Sequence, residues 1–123
     1  KNYNLNSLKL VQSDEKIHAV EDNENRVVRI NFWKDLPVKF RNIRSFSTAS
    51  MLVKENNNGL LIAVSEPTQL MKKNSIFEID GVYELEESSS KDIKVTSKNN
   101  LTRIEIDLRN NGATETIKLK KIK

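Results

Sequence analysis

The side chains that could do chemistry in this sequence are a single histidine and a few paired acids. His18 is the only histidine and cysteine is absent, so no second ligand of that type completes a metal site. Glu86-Glu87 and Glu105/Asp107 have the composition of a glycosidase acid pair. Both pairs fall where the strand pattern predicts solvent exposure. We therefore expect no catalytic residue, metal or cofactor, and a His18 that faces solvent or a polar neighbour.

Aromatic and basic side chains are the second set of candidates, because an exposed ring can stack on a sugar. Phe32 and Trp33 are consecutive, so on a strand they must point to opposite faces. If Phe32 joins the core, Trp33 faces outward. We predict a carbohydrate contact formed by Trp33, Tyr83 and Arg29, with Tyr3 as a further aromatic. The alternative that we favour for Trp33 is packing against a neighbouring domain, since tryptophan is enriched at interfaces.

These candidates must be positioned by strands, because hydrophobic residues alternate with period two along most of the chain. No segment shows the periodicity of a helix. All three glycines fall at turn positions, and both prolines interrupt strands. About ten short strands separated by turn signals predict an all-β antiparallel sandwich. A length of 123 residues fits one domain, so we expect residues 1–123 to form a single sandwich.

Two asparagine-glycine segments predict β-hairpins. Residues 56–59 (Asn-Asn-Asn-Gly) separate two apolar runs, and residues 110–112 (Asn-Asn-Gly) precede the final apolar run. Residues 22–25 and 99–100 are predicted as turns, because Asn and Asp tolerate the left-handed region and close side-chain turns. Residues 44–50 are rich in Ser and Thr and are expected to form a loop or an irregular edge.

The charge balance is mildly basic, with 21 Lys and Arg against 17 Asp and Glu. This favours an anionic partner such as an acidic polysaccharide, although a solvated basic surface explains it equally well. The only dense basic run is at residues 118–123, and we predict no nucleic-acid partner. No apolar run reaches the length of a membrane span, and no signal peptide is present. Because the sequence begins with Lys1 rather than Met, we expect a piece of a longer polypeptide.

Two blocks of this sequence resemble the C-terminal β-sandwich domain of the family 8 polysaccharide lyases, which include hyaluronate, chondroitin AC and xanthan lyases. Residues 11–20 (VQSDEKIHAV) followed by Phe32-Trp33 resemble the opening of that domain, with its aliphatic-x-Ala-Val motif and aromatic pair. Residues 50–54 (SMLVK), Gly59 and residues 65–69 (SEPTQ) resemble the next part in order and spacing. The named motifs cover roughly residues 8–69, and the rest agrees only in its strand pattern.

The SEPTQ block at residues 65–69 has a physical role that is independent of the resemblance. Pro67 fixes its own φ and forces Glu66 out of the helical region, so a strand must end there. Ser65 and Thr68 can satisfy the backbone groups that the turn frees. Glu66 stands where the family usually has Asp, which predicts a weaker side-chain cap. We interpret the block as a strand terminator rather than a reactive site.

The resemblance implies that bond cleavage takes place elsewhere in a longer polypeptide. Eliminative cleavage of a uronic-acid polymer needs a base, an acid and a group that neutralises the carboxylate. In this family the resemblance implies that Asn, His, Tyr and Arg residues of a separate helical toroid domain do this, and no position here matches their motifs.

The resemblance therefore implies a non-catalytic domain of a secreted, extracellular bacterial carbon-oxygen lyase acting on hyaluronan or chondroitin. Its partners would be the preceding catalytic α-toroid and central β domains, with accessory contact to an acidic polysaccharide. One alternative is an autonomous carbohydrate-binding module. The other is a structural or adhesin sandwich with no sugar role.

Overall fold

The computed structural model describes residues 8–122, and every regular element in that range is a strand. No helix of the described range is long and apolar enough to cross a membrane. The twelve strands are β1 Leu8–Ser13, β2 Ile17–Asp22, β3 Val27–Phe32, β4 Val38–Phe40, β5 Ile43–Ser45, β6 Ala49–Asn56, β7 Gly59–Ser65, β8 Ser75–Asp80, β9 Tyr83–Ser88, β10 Ile93–Lys98, β11 Leu101–Ile106 and β12 Glu115–Lys121.

The strands form two antiparallel sheets that pack as a sandwich. The seven-stranded sheet has the order β1-β2-β3-β6-β7-β12-β9, and the five-stranded sheet has the order β10-β11-β8-β5-β4. The predicted all-β antiparallel sandwich is confirmed. The strands of the described range number twelve rather than about ten, in part because β5 lies in a segment that was expected to be a loop or irregular edge.

Polar residues at buried positions explain why β5 has a weak strand signal. Ser45 ends β5 and is fully buried, and Ser47 follows it in the same inward phase. The Ser45 hydroxyl donates to the Ser47 carbonyl at 2.6 Å, which provides a partner for a buried polar group. Since serine is more often exposed than buried, hydrophobic alternation alone does not mark this strand.

Alternate side chains of the two sheets meet between them and form the core. In β3 the buried apolar residues are Ile30 and Phe32, and in β8 they are Phe77 and Ile79. Because successive strand side chains point to opposite faces, the pattern that predicts the strands also predicts the buried face. Phe32, which is predicted to lie in the core if Trp33 faces outward, is 1% exposed, and Ile30 on the same face is fully buried.

Most connections between strands are divided by type between the two ends of the sandwich, although an in-sheet turn at residues 14–16 and a crossing at residues 81–82 each lie at the end where the other type predominates. We call one end the crossing end, because five of its loops carry the chain from one sheet to the other: residues 33–37, 46–48, 66–74, 89–92 and 107–114. The opposite end, the hairpin end, carries the turns within a sheet at residues 23–26, 41–42, 57–58 and 99–100. Long connections and the side chains that they present are therefore concentrated at one end.

The hairpin predicted at residues 56–59 is confirmed. β6 pairs with β7, and Asn56 lies opposite Gly59 across a two-residue loop. The Asn56 Oδ1 accepts from the backbone N–H groups of Asn58 and Gly59, each at 2.8 Å. Glycine is required next to β12, because a Cβ at position 59 would lie 1.9 Å from the Leu119 carbonyl oxygen.

The hairpin predicted at residues 110–112 is wrong. The turn itself forms, with positive φ at Asn111 (64°) and Gly112 (79°), but it connects strands of different sheets. β12 pairs with β7 and β9 instead of β11. The hairpin lies at residues 99–100, where Asn99 (55°) and Asn100 (61°) both have positive φ between the paired β10 and β11. Two consecutive positive φ values are typical of a type I′ turn, which matches the twist of the strands.

A buried threonine links the two sheets at the hairpin end, where residues 81–82 carry the chain from β8 to β9. Thr102 of β11 is fully buried. Its hydroxyl accepts from the Tyr83 backbone N–H at 3.0 Å and donates to the Gly81 carbonyl at 2.8 Å. The Ser97 hydroxyl donates to the Tyr83 carbonyl at 2.9 Å. These bonds provide partners for backbone groups of Gly81 and Tyr83, at the point where the chain leaves one sheet and enters the other.

Candidate functional site

Trp33 lies at the crossing end, directly after β3. Its backbone N–H donates to the Lys16 carbonyl at 2.8 Å, which fixes the main chain at this point. Its side chain is 49% exposed, whereas the preceding Phe32 is fully buried. The predicted opposite directions of these two residues are confirmed. Leu36 and Leu70 are also exposed at this end, Leu70 by 80%, so several apolar groups face solvent here.

The other residues predicted to contact sugar lie apart from Trp33. Arg29 is exposed on the outer face of the seven-stranded sheet, four residues or roughly 13 Å along the strand from Trp33. Tyr83 is only 7% exposed and pairs with Lys121 at the hairpin end. Burial and the charge of Glu55 raise the pKa of Tyr83.

The predicted sugar contact is therefore not assembled from these three residues in one place. The burial of Tyr83 leaves little of its side chain open to a ligand. A sugar contact at Trp33 or Arg29 stays a prediction. Tyr3, the fourth residue of the prediction, lies outside the described residues.

Glu66 is a buried carboxylate that is surrounded by hydrogen-bond donors. It is 1% exposed, and no ion pair to a Lys or Arg is present within residues 8–122. Its oxygens accept from the hydroxyls of Thr48 and Thr68 and from the Gln69 backbone N–H. Burial alone would raise the pKa of Glu66, but these donors outweigh it and hold the pKa below its ordinary value.

Glu66 does form a side-chain cap, and its weakness relative to an aspartate cap stays a prediction. The longer glutamate side chain turns back and accepts from the backbone N–H three residues later, as a shorter acid would. Thr68 contributes as predicted, because its hydroxyl accepts from the Leu70 N–H at 3.2 Å. β7 ends at Ser65, which agrees with the interpretation of residues 65–69 as a strand terminator.

Gln69 connects this turn to the last crossing loop. Its side-chain amide donates to the carbonyls of Glu66 and Leu108 at 2.7 and 2.8 Å. Its side-chain oxygen accepts from the backbone N–H groups of Asn110 and Asn111, both at 3.1 Å. One side chain therefore fixes two crossing loops relative to each other. Gln69 itself has a positive φ of 53°, a conformation that these bonds hold in place.

Arg109 fixes the other end of the loop that contains Gln69, at Lys72 and Asn74. Its guanidinium pairs with Asp107 at 2.9 Å, donates to the Lys72 carbonyl at 3.1 Å and donates to the Asn74 side-chain oxygen at 3.3 Å. The guanidinium holds the pKa of Asp107 below its ordinary value. Residues 70–73 are therefore held from both sides, by Gln69 and by Arg109.

A surface groove of about 490 Å³ opens beside this loop. It is lined by apolar, basic and hydroxyl side chains: Asp35, Phe46, Ser47, Leu70, Met71, Lys72, Lys73, Asn74, Ser75 and Ile76. The hydroxyl oxygens of Ser47 and Ser75 are buried and have no hydrogen-bond partner within the described part of the chain. A groove with this mixture of groups can bind a polar ligand that also has an apolar face.

A smaller cleft of about 200 Å³ lies at the hairpin end, between the sheets. The Arg41 guanidinium reaches across it and pairs with Glu21 through two bonds of 2.7 and 3.1 Å. It holds the pKa of Glu21 below its ordinary value. Arg26 and Glu55, which also line the cleft, form a second ion pair at 3.7 Å. Because its charged side chains are paired with one another, we assign the cleft a structural role.

His18 and the two acid pairs that could have suggested catalysis lie on different strands or at their ends: His18 on β2, Glu86-Glu87 on β9, and Glu105/Asp107 on and just after β11. Glu86 and Glu87 are exposed as predicted, whereas Glu105 and Asp107 are half-buried. His18 is partly exposed, and its Nδ1 lies 3.3 Å from the Ser13 hydroxyl, which confirms the predicted polar neighbour. Glu86 forms a surface ion pair with Lys118 at 3.7 Å. Within residues 8–122, no group of three or more His, Cys, Asp or Glu side chains is arranged to hold a metal ion.

Sequence reasoning missed the groove, although one signal pointed to it. Ser75 lies in phase with the buried Phe77 and Ile79 of β8, so period two places a hydroxyl on the buried face. A polar side chain at a position that alternation places in the core needs a hydrogen-bond partner. The assembly of loops around it was not predictable, because it depends on how the two sheets are connected.

The comparisons with known proteins agree on one group of enzymes. Residues 9–74 match the model of the polysaccharide lyase family 8 C-terminal beta-sandwich domain. A xanthan lyase from Paenibacillus has a TM-score of 0.84 and 22% identity, and the match covers 95% of this chain and 11% of the xanthan lyase chain. The chondroitin AC lyase of Streptomyces coelicolor A3, solved in complex with chondroitin sulphate, has a TM-score of 0.78 and 15% identity, covering 94% of this chain and 15% of the lyase.

At these identities the solved structures show the fold, and this chain spans only a small part of each lyase chain. No curated protein matches the sequence. The family model, however, covers more than half of the residues, and the twelve-stranded sandwich agrees with its description. The chain therefore belongs to the family of C-terminal β-sandwich domains of family 8 polysaccharide lyases.

Proposed function

We propose that this chain is a non-catalytic C-terminal domain of a secreted bacterial polysaccharide lyase that acts on hyaluronan or chondroitin-type chains. Its role would be to support the central β domain and one side of the substrate cleft. Family membership supports the parent enzyme class, and the small share of each matched lyase chain that it covers supports a part played beside larger domains.

The observation that carries the supporting role is the exposure of Trp33 at the crossing end. Large apolar side chains that face solvent in an isolated domain are typical of surfaces that become buried against another domain. The Trp33 main chain is fixed by its hydrogen bond to the Lys16 carbonyl, and its side chain is half exposed. Leu36, three residues later, adds to the same exposed end. Tryptophan is also among the residues that contribute most to binding at interfaces.

A binding measurement with the preceding part of the parent polypeptide tests this proposal. The two parts would be produced separately and mixed in a calorimeter. Trp33→Ala should weaken association roughly thirtyfold, because a tryptophan near the centre of an interface contributes much of the binding free energy. The matched control is Leu85→Ala, an exposed apolar residue of the edge strand β9, which should leave the affinity unchanged. Absence of association, or equal effects of both variants, would rule out this supporting role for Trp33.

The second candidate function is an autonomous carbohydrate-binding module, which the same exposed ring of Trp33 favours. In that case hyaluronan or chondroitin oligosaccharides should quench the fluorescence of the single tryptophan in a saturable way. The quenching should be absent in Trp33→Ala, which lacks the fluorophore, and weaker in Arg29→Ala, which retains it. A chain that binds neither polysaccharide nor the rest of the polypeptide would instead fit a structural or adhesin sandwich.

A further inference from the structure

The groove at the crossing end has the size and shape of a ligand site. Its volume of about 490 Å³ lies within the range of small-molecule sites, and it is open to solvent on one side. Phe46, Leu70 and Met71 provide an apolar wall. Such a wall suits the C–H face of a sugar ring, whereas the polar groups of the groove suit its substituents.

Two hydroxyl groups in this groove are without partners. Ser75 is 1% exposed, Ser47 is also buried, and neither side-chain oxygen has a hydrogen-bond partner among residues 8–122. Buried polar groups are almost always paired in native proteins, so an exception needs an explanation. Since both residues line the same groove, one molecule that enters it can supply both partners. The neighbouring Ser45, by contrast, is already paired within the protein.

The charge at the mouth of the groove is positive. Lys72 and Lys73 are exposed, and neither ammonium group forms an ion pair within the part of the chain that the structure describes. Asp35 is the one acid among the lining residues, which leaves an excess of one positive charge. Two adjacent unpaired ammonium groups favour a ligand that carries a carboxylate or a sulphate.

The loop that carries these lysines is fixed before any ligand arrives. Gln69 connects one end of the loop to residues 108–111, and Arg109 binds the Lys72 carbonyl and the Asn74 side chain at the other. A site held in this way does not lose loop entropy on binding, which favours affinity.

We infer that this groove binds one acidic saccharide unit, with its hydroxyl groups on Ser47 and Ser75 and its carboxylate or sulphate on Lys72 and Lys73. The choice of an acidic polysaccharide rests on the proposed function. The inference deepens that proposal by placing the contact at the groove of residues 70–76, separate from Arg29 and Tyr83. It does not depend on the supporting role of Trp33.

The test is an NMR titration of the chain with hexasaccharides of hyaluronan, which carry carboxylates alone, and of chondroitin sulphate, which carry carboxylates and sulphates. Amide shifts should change at Ser47, Ser75 and residues 70–74. Lys72→Ala/Lys73→Ala should weaken binding at least about tenfold and reduce its salt dependence. The control Lys94→Ala/Lys98→Ala removes the same charge from exposed positions of β10 and should leave binding unchanged.

Two serine substitutions distinguish a loss of ligand contact from a loss of folding stability. Ser75→Ala removes an unpaired hydroxyl, so it should keep the unfolding midpoint and weaken binding about tenfold. Ser45→Ala removes a paired hydroxyl and should lower the midpoint while the affinity of the folded chain is kept. Shift changes confined to Trp33 and Arg29, equal binding of a neutral hexasaccharide, or the absence of binding would overturn the groove assignment. None of these results bears on association with the preceding domains, which is measured separately.

Discussion

Glu66 shows how a single residue can be placed by its surroundings rather than by its type. Glutamate is mostly exposed in proteins, and Pro67 predicts only that the strand ends. The structure places the carboxylate inside, where the hydroxyls of Thr48 and Thr68 bind it in place of a cation. The sequence could not predict this, because Thr48 lies in another crossing loop and meets Glu66 only in the folded chain.

The first prediction concerns the pH dependence of stability through Glu66. Its folded pKa is depressed below the ordinary value of 4.5. Its contribution to the free energy of unfolding is therefore present above that value and is lost as the pH falls through the folded pKa. Glu66→Gln should lower the free energy of unfolding by about 1–3 kcal/mol near neutral pH, because the charged acceptor of three donors is lost.

Urea unfolding of the wild type and Glu66→Gln between about pH 7 and about pH 3 measures this effect. The difference between the two proteins should shrink on the acid side. Glu84→Gln, at an exposed position of β9, is the control and should change stability little. A difference that is the same at both ends of the range would contradict the assignment of the carboxylate as the charged acceptor.

The second prediction concerns close approach of the backbone at Gly59. Gly59→Ala would place a methyl group 1.9 Å from the Leu119 carbonyl oxygen, so β7 and β12 must move apart. The expected loss is more than about 2 kcal/mol. Gly112→Ala is the control, because nothing lies within 4 Å and only its φ of 79° opposes a side chain. That change should cost about 1 kcal/mol. Equal losses in thermal unfolding would show that contact with β12 is unimportant.

At the scale of elements, turn signals predicted where the chain reverses but not which strands pair. Asn111 and Gly112 adopt the expected positive φ, yet the chain leaves them for the other sheet. Asn99 and Asn100 form the tight hairpin instead. Two residues separate β10 from β11 and eight separate β11 from β12. Loop length alone does not decide the pairing, because the two-residue connection at residues 81–82 also crosses between the sheets.

The third prediction tests the link between the sheets at Thr102. Thr102→Val keeps the shape of the side chain but removes the hydroxyl that serves the Tyr83 N–H and the Gly81 carbonyl. A backbone donor left without a partner in this buried place should cost about 1–3 kcal/mol. Thr96→Val at an exposed position of β10 is the matched control and should have little effect. Equal midpoints for both variants in denaturant would contradict the linking role.

At the scale of the whole molecule, the groove at the crossing end is the feature that the sequence pattern did not predict. The all-β sandwich followed from alternation and turn spacing, because those signals are local. The outward direction of Trp33 followed from its position after Phe32. The groove did not follow, because Ser47, Lys72 and Ser75 come from two loops and a strand that meet only when both sheets are in place.

The central claim is that this domain supports a lyase without breaking bonds itself. The most direct measurement is to incubate the isolated chain with hyaluronan and with chondroitin sulphate and to follow the ultraviolet absorbance of the unsaturated product. The account predicts no increase in absorbance with either polymer over the background of buffer alone. A steady increase that scales with the concentration of the chain would contradict it.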